Sequence, residues 1–501
     1  MTARPSAIRT VFLVLTFACG AAAVFPEIAL WPVREAVSNM RTPDVAAHVA
    51  RWIFAMGAVA FGTVYVMWQS TYAIALGILE RIIKLPFKSF WMLVFVAALL
   101  PRLLVAATIS YEPMSDAWWL HEAAASLAKG EGFAVAGELT AYRPPGYPFL
   151  LSLTYRLFGP DVRLAWFWGV LSTAIIVLAI HFIASMLYGA AVARLATIFA
   201  ATYPALILMT GQSMSDLPFV AGLLALIGYA LASSPYRLRD SIVIGIGIGM
   251  LTLTRGVAIG LFAVIPLIWL FQQHNFRRCT TSFVVMTVTF VMCITPWMLR
   301  NQAVFGSLTI GTNIGINAYI GNHSGAHGGS VARTWPPVTE EAEENEAKFD
   351  REMLRYAIDF VVSSPGEAAA IIPGKLLGLY LAETEAATSL FQGSHPSPSW
   401  MKYTLYGASQ LVYVFLLICC FVRLGDLVNP AQRPRGAQWT GWLLAGYFTL
   451  ICLLFSGSDR YRLPILPWIL IEGAVVLARA VSDERRQGAR SERIRASAGS
   501  G

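Results

Sequence analysis

The apolar residues of this chain fall in runs of about 15 to 25, with most charges between them, the pattern of helices that cross a hydrocarbon core roughly 30 Å thick. Lipid offers backbone N–H and C=O groups no partner, so each run must satisfy its own hydrogen bonds as a helix. Twelve candidate spans follow, at about residues 10–31, 52–79, 90–109, 163–187, 192–209, 217–233, 241–254, 257–271, 282–299, 403–424, 438–456 and 464–480. Only 13% of the 501 residues are charged, against about 25% in a soluble domain. A conventional soluble enzyme is excluded, and an all-α polytopic membrane protein of about twelve transmembrane helices is expected. The first span continues through Phe25 to Trp31, past the Ala21-Ala22-Ala23 stretch that would suit signal cleavage, and reads as a retained helix.

With the N-terminus inside, the cytoplasmic loops and tail carry 19 Lys and Arg against 6 Asp and Glu, out of 37 and 29 in the chain. That bias sets orientation by the positive-inside rule and places both termini in the cytoplasm. The net charge of +8 therefore carries no implication of nucleic acid. The six cysteines lie in apolar segments or cytoplasmic loops, which suggests neither a disulfide framework nor a zinc site. No internal repeat and no phosphate-cradling glycine motif is evident, so no nucleotide site is expected. Gly245, Gly247 and Gly249 stand in an apolar helix, where small residues permit close helix packing.

Five regions result: two additional N-terminal spans in 1–88, a membrane core in 89–299 with a first outer loop at 110–162, a large outer region at 300–402, C-terminal spans in 403–480 and a basic tail at 481–501. Both outer segments are too long for simple connectors, and their Trp, Tyr, Gly and Pro content suits ordered caps carrying juxtamembrane helices. Five glutamates in Glu340–Glu346 read as structural decoration, a solvated helix start or mobile patch.

Ionisable residues beside helix ends on one side of a membrane are candidate site residues, because charge at membrane depth is costly. On the outer side they converge. Asp116 follows a span directly, is followed by Trp118 and Trp119, and begins an amphipathic stretch; it reads as a partly desolvated general base or, with Ser115, as a helix N-cap. In "AYRPPGYPFLLSL", Pro144 and Pro145 precede a short apolar stretch expected to lie along the outer interface, and Arg143 reads as a lipid-phosphate ligand or a snorkelling side chain. Tyr142 and Tyr147 flank it. "GQSMSDLPFV" places Asp216 between two spans, as a cap or a second carboxylate, and Arg255 in "LTLTRG" is expected to face the same cavity. Arg300 and Asn301 leave the membrane before a Gly/Asn-rich run whose tight turns suit backbone amides approaching a polar ligand. His323 and His327 resemble a metal pair weakly, and a flexible polar loop is the expectation. In "SGSDRYRLPILP", Arg460, Tyr461 and Arg462 sit in a very short outer turn, against the positive-inside trend, which points to an anionic partner.

In serial order these segments resemble the C-type (GT-C) superfamily of integral-membrane glycosyltransferases, in particular bacterial proteins related to protein O-mannosyltransferases, lipid A aminoarabinose transferases and lipopolysaccharide-core galacturonosyltransferases. The likeness covers roughly residues 90–480 and rests on the order of the acidic first loop, "RPPGYP", "SDLPF", "LTRG", "PWMLRN…FG…GINAYIGN" and "DRYRLPILP". It implies a sugar donor carried on polyprenyl phosphate and an inverting transfer, on the outer face of the inner membrane, to a glycolipid, glycan or protein. It makes Asp116 the base, with Asp216 a second acidic candidate. It puts Arg143 and the arginine of "RYRLP" near the donor phosphate; Arg255, Arg300, Arg460 and Arg462, basic residues against the charge trend, are expected to face the phosphate with Arg143, and Trp118, Tyr142, Tyr147, Asn301 and Tyr461 to bind substrate. Ala117 stands where many relatives have a second acidic residue; no metal ligand is assigned and no cofactor is expected, with dependence on a divalent metal left open. A lipid or glycan flippase or transporter is the alternative of another class, although two aromatic outer caps fit it poorly. An oligosaccharide ligase is the alternative among enzymes.

Overall fold

The computed structural model describes residues 68–109, 111–234, 236–272, 276–329, 335–392, 399–430 and 432–498. The expected span at 10–31 lies outside them, as does most of that at 52–79. The chain runs α1 (Trp68–Lys84), α2 (Phe87–Thr108), α3 (Asp116–Lys129), β1 (Ala134–Val135), β2 (Glu138–Leu139), α4 (Gly146–Phe158), α5 (Ala165–Tyr188), α6 (Ala190–Thr202), α7 (Pro204–Leu208), α8 (Asp216–Ala232), α9 (Leu238–Thr252), α10 (Leu261–Phe271) and α11 (Phe276–Phe305). It continues through α12 (Ile314–Gly321), α13 (Glu340–Glu343), α14 (Glu346–Ser363), α15 (Pro365–Tyr380), α16 (Glu385–Gln392), α17 (Ser399–Val428), α18 (Thr440–Leu454) and α19 (Leu466–Ala498). Among the described residues the fold is all-α apart from the antiparallel hairpin β1–β2, which pairs Ala134 with Leu139 and Val135 with Glu138 around Ala136 and Gly137, both at positive φ.

Among the described residues, five helices are long and apolar enough to cross a membrane: Phe87–Thr108, Val162–Tyr188, Thr280–Phe305, Trp400–Val428 and Gly436–Leu454. Ala190–Thr202, Asp216–Ala232 and Gly256–Phe271 are shorter apolar helices. The chain is a multi-pass membrane protein.

The run expected as one span at 192–209 is broken. Tyr203 is extended and Pro204, which has no N–H, starts α7 instead of continuing α6. The Ala201 carbonyl in the last turn of α6 accepts from Arg102, whose guanidinium also binds Thr210 Oγ1 at 3.0 Å and the Ala98 carbonyl. A cation at a helix C-terminus meets the negative end of its dipole, so this buried arginine of α2 has a structural role.

The glycines of α9 allow the close packing expected of them. A Cβ on Gly245 would stand 1.9 Å from Thr289 Oγ1 and 2.5 Å from the Met286 carbonyl, and one on Gly249 would stand 2.8 Å from Cys293 Sγ. Gly245→Leu should therefore push α9 off α11 and cost at least about 1–3 kcal/mol of overpacking. Thermal unfolding in detergent checks this, and an unchanged melting temperature would mean the contact is not needed.

Two smaller clusters lie outside the main helical core. α3 packs on α4 through Leu120, Ala124, Tyr147, Leu151 and Tyr155. The opposite face of α4 exposes Phe149, Leu153, Leu157 and Phe158, the two-faced pattern of an interfacial helix. α12 packs on α14 through Ile316, Tyr319, Met353 and Ala357, with Tyr142 against them. Of the five glutamates at 340–346, four are exposed and the fifth is a clasp. Glu346 accepts from Thr140 Oγ1 at 2.6 Å, Ala141 N at 2.8 Å and Thr312 Oγ1 at 3.1 Å, tying the segment before Arg143 to the one after α11.

Candidate active site

Ser115, which precedes α3, has φ 50° and ψ −120°, a conformation that strains a residue with a Cβ, and its side chain makes no capping bond. The backbone delivers Asp116 at the start of α3, and the carboxylate serves not as a cap but as an acceptor for two arginines. Arg143 Nη2 donates to Oδ1, and Arg460 Nη1 donates to Oδ2 at 2.7 Å. Asp216, at the start of α8, is fully buried. It accepts from Arg255 Nη1 at 2.6 Å and from Arg460 Nε at 3.2 Å, with Arg460 Nη2 in ion-pair contact at 3.1 Å.

Arg460 is thus the shared member of a five-residue chain: Arg143, Asp116, Arg460, Asp216, Arg255. Three guanidiniums against two carboxylates leave one net positive charge. Burial pushes the Asp116 carboxyl up, but the charges of Arg143 and Arg460 outweigh it and hold the group down at about 2.

Distant segments are brought together by backbone contacts. The Gly146 N–H donates to the Leu253 carbonyl at 2.7 Å, and a Cβ on Gly146 would stand 2.6 Å from Thr254 Oγ1. Only glycine lets "RPPGYP" dock on "LTRG", and the docking brings Arg143 and Arg255 to one site. The turn bearing Arg460, a 3₁₀ helix at Asp459–Arg462, is held by Asp459, whose carboxylate accepts the backbone N–H groups of Thr384 and Glu385. A cavity of about 10 Å³ lies behind Arg460 among Met209, Glu383, Glu385 and Asp459, room for about one water. Burial, reinforced by Asp459, pushes the Glu385 carboxyl up. Residue order alone gives Glu383 and Glu385 no role, and "ETE" at 383–385 is their only signal.

Other expected site residues lie around the chain of charges or away from it. Tyr142 places its ring 5.3 Å from the Arg143 guanidinium and meets Trp119 edge-on. Trp118 is exposed, Tyr461 half-buried beside Arg460, and Tyr147 buried in the α3–α4 cluster. Arg300 donates to the carbonyls of Thr140 and Phe133 and lies over Trp297 at 5.0 Å, so it braces the segment leading to Arg143 without joining the aspartates. Asn301 is fully buried and donates to the Thr309 carbonyl. Arg462 turns the other way: it is buried, pairs with Glu383 and stacks on Tyr413 at 3.8 Å. In the Gly/Asn-rich run, the Ile316 amide goes to Asp350, while Gly315 and Gly321 lie against the backbones of Asp350 and Phe455. These small residues close a packed joint. His323 is buried, stacked on Tyr319 at 4.8 Å, with Nδ1 at 2.9 Å from that residue's carbonyl. Among the described residues, no three His, Cys, Asp or Glu side chains gather as metal ligands.

No curated protein matches the chain. Among solved structures, it is similar to the archaeal oligosaccharyltransferase AglB from Archaeoglobus fulgidus in complex with an inhibitory peptide and a dolichol-phosphate, at 12% identity and TM-score 0.45, over 81% of this chain and 52% of that one. It is also similar to ArnT from Cupriavidus metallidurans bound to undecaprenyl phosphate, at 15% identity and TM-score 0.41, over 81% of this chain and 80% of that one. The chain thus spans about half the length of the archaeal enzyme. Residues 142–299, which hold Arg143, Asp216 and Arg255, match the dolichyl-phosphate-mannose-protein mannosyltransferase family, within the GT-C group that the serial motifs resemble.

Proposed function

We propose that this protein is a membrane glycosyltransferase that moves a sugar from a polyprenyl-phosphate carrier to a glycolipid, glycan or protein on the outer face of the inner membrane. The observation that carries the reading is the shared Arg460, which joins two carboxylates and two further arginines from four separate segments into one site with net positive charge. Arginine forks match phosphate geometry and stabilise the charge that develops on a departing phosphate. The acceptor hydroxyl or amine attacks the anomeric carbon and the bond from that carbon to the phosphate oxygen breaks. Its electron pair stays on the phosphate, and the acceptor's proton passes to Asp116. One carboxylate suffices, because a single inverting displacement needs no covalent nucleophile. Asp216, which is fully buried, acts as a positioning residue for Arg255 and Arg460.

The test is to incubate the purified protein in lipid with polyprenyl-phosphate monosaccharides and candidate acceptors, then follow products by mass spectrometry. The expected product gains one sugar with inverted anomeric configuration. Transfer of a preassembled oligosaccharide would point to a ligase, and movement of unaltered lipid between leaflets to a flippase.

A further inference from the structure

We propose that in the resting protein the Asp116 carboxylate occupies the seat of the donor phosphate, so that donor binding is what frees the base. The inference rests on the reading of this cluster as a polyprenyl-phosphate-sugar site. Each oxygen of Asp116 is taken by a different guanidinium, Oδ1 by Arg143 and Oδ2 by Arg460. A phosphate offers two oxygens to two arginines in the same manner, so carboxylate and ligand are alternatives at one place.

The two aspartates are not equivalent in this exchange. Asp216 has no exposed side-chain surface and holds Arg460 through both Nε and Nη2. Asp116 is 29% exposed and Arg143 20% exposed, so their pair lies on the open side of the cluster. Arg143 also keeps its Nε buried without a hydrogen-bond partner, a donor left over for an incoming oxygen. The residue just before Asp116, Ser115, has a strained positive φ, as found at other sites poised to change state.

While both oxygens are held, Asp116 is a poor acceptor for the proton of an attacking hydroxyl. An arriving phosphate draws Arg143 and the Nη1 arm of Arg460 to itself and sets a second anion beside the carboxylate, and both changes make Asp116 more basic. The base is therefore competent only once the donor is bound.

Polyprenyl phosphate without sugar is the probe, and its affinity for the full-length protein in lipid nanodiscs is the readout. The competing carboxylate taxes binding by the fraction of time the arginines are free, so Asp116→Asn and Asp116→Ser should each bind the lipid about tenfold or more tightly than wild type. Asp216→Asn should not tighten it, because that change disturbs the arginines themselves. Equal or weaker binding by both folded Asp116 variants overturns the proposal, as does equal tightening by Asp216→Asn. Absence of binding to every form removes the donor-site reading and this proposal with it. Tightening in a protein that transfers no sugar leaves the competition standing and removes only the proposed reaction.

Discussion

Replacing Arg460 with leucine is expected to abolish sugar transfer and to lower folded stability by about 3–5 kcal/mol, the cost of removing one partner from a buried ion pair. Arg460 supplies Nε and Nη2 to Asp216 and Nη1 to Asp116, and Asp216 has no contact with solvent in which to recover what it loses. Arg255 would remain as its single cation. Arg460→Lys separates the two effects. A lysine keeps a charge for Asp216 but cannot reproduce a fork that reaches two carboxylates, so most of the stability should survive while the rate falls by about 10² or more. Adding both Asp216→Leu and Arg255→Leu to Arg460→Leu should recover part of the stability without recovering activity, because the buried Asp216 and Arg255 charges are then removed together. Thermal unfolding and single-sugar transfer, measured on the same preparations, check all three. A stable, active Arg460→Leu protein would show that the five-residue chain of charges is not the working part of the molecule.

Much of this arrangement was legible from residue order because its members stand at junctions where a charge has few structural reasons to be. Asp116 and Asp216 each begin a helix, and Arg143, Arg255 and Arg460 run against the positive-inside trend expected from the sequence; these five are the ones that meet. The same reasoning could not separate Arg460 from Arg462. Two residues apart in one 3₁₀ turn, they point to different sides, and only the partner Glu383, far off in the chain, shows which one is structural. Arg300 and Asn301 were legible as polar residues at the end of a span but not as braces, since their acceptors are backbone carbonyls that any sequence supplies. Gly146 had no visible role until the Leu253 carbonyl lay against it. Among the glutamates at 340–346, nothing in composition distinguishes Glu346, yet it alone reaches Thr140, Ala141 and Thr312. Spans were hard to delimit: hydrophobic length places a run in the membrane, but Pro204 divides one such run into two helices.

Asp116→Asn is expected to reduce transfer by about 10³-fold, within the range that a positioned general base contributes. The amide keeps the size of the side chain but carries no charge and cannot take up the acceptor's proton. Its effect on stability has a defined sign. Burial disfavours the charged form of Asp116, but Arg143 and Arg460 hold its carboxyl at about 2, below the ordinary 3.8. A depressed carboxyl stabilises the fold above its unfolded value and loses that contribution as pH falls through about 2, an effect of about 2 kcal/mol. Wild type should therefore exceed Asp116→Asn in stability by a constant margin above about pH 4, and the two should converge below it. Rates should show the complementary pattern. In the free protein Asp116 is fully ionised from pH 7 down to about pH 4, so kcat/KM for the donor should show no acid limb from this group in that interval. Once donor phosphate holds the arginines, Asp116 is more basic and the acid limb of kcat should lie at higher pH than that of kcat/KM. An acid limb at the same pH in both would mean that the arginines stay on Asp116 throughout the reaction, and wild-type transfer by Asp116→Asn would remove it as the base.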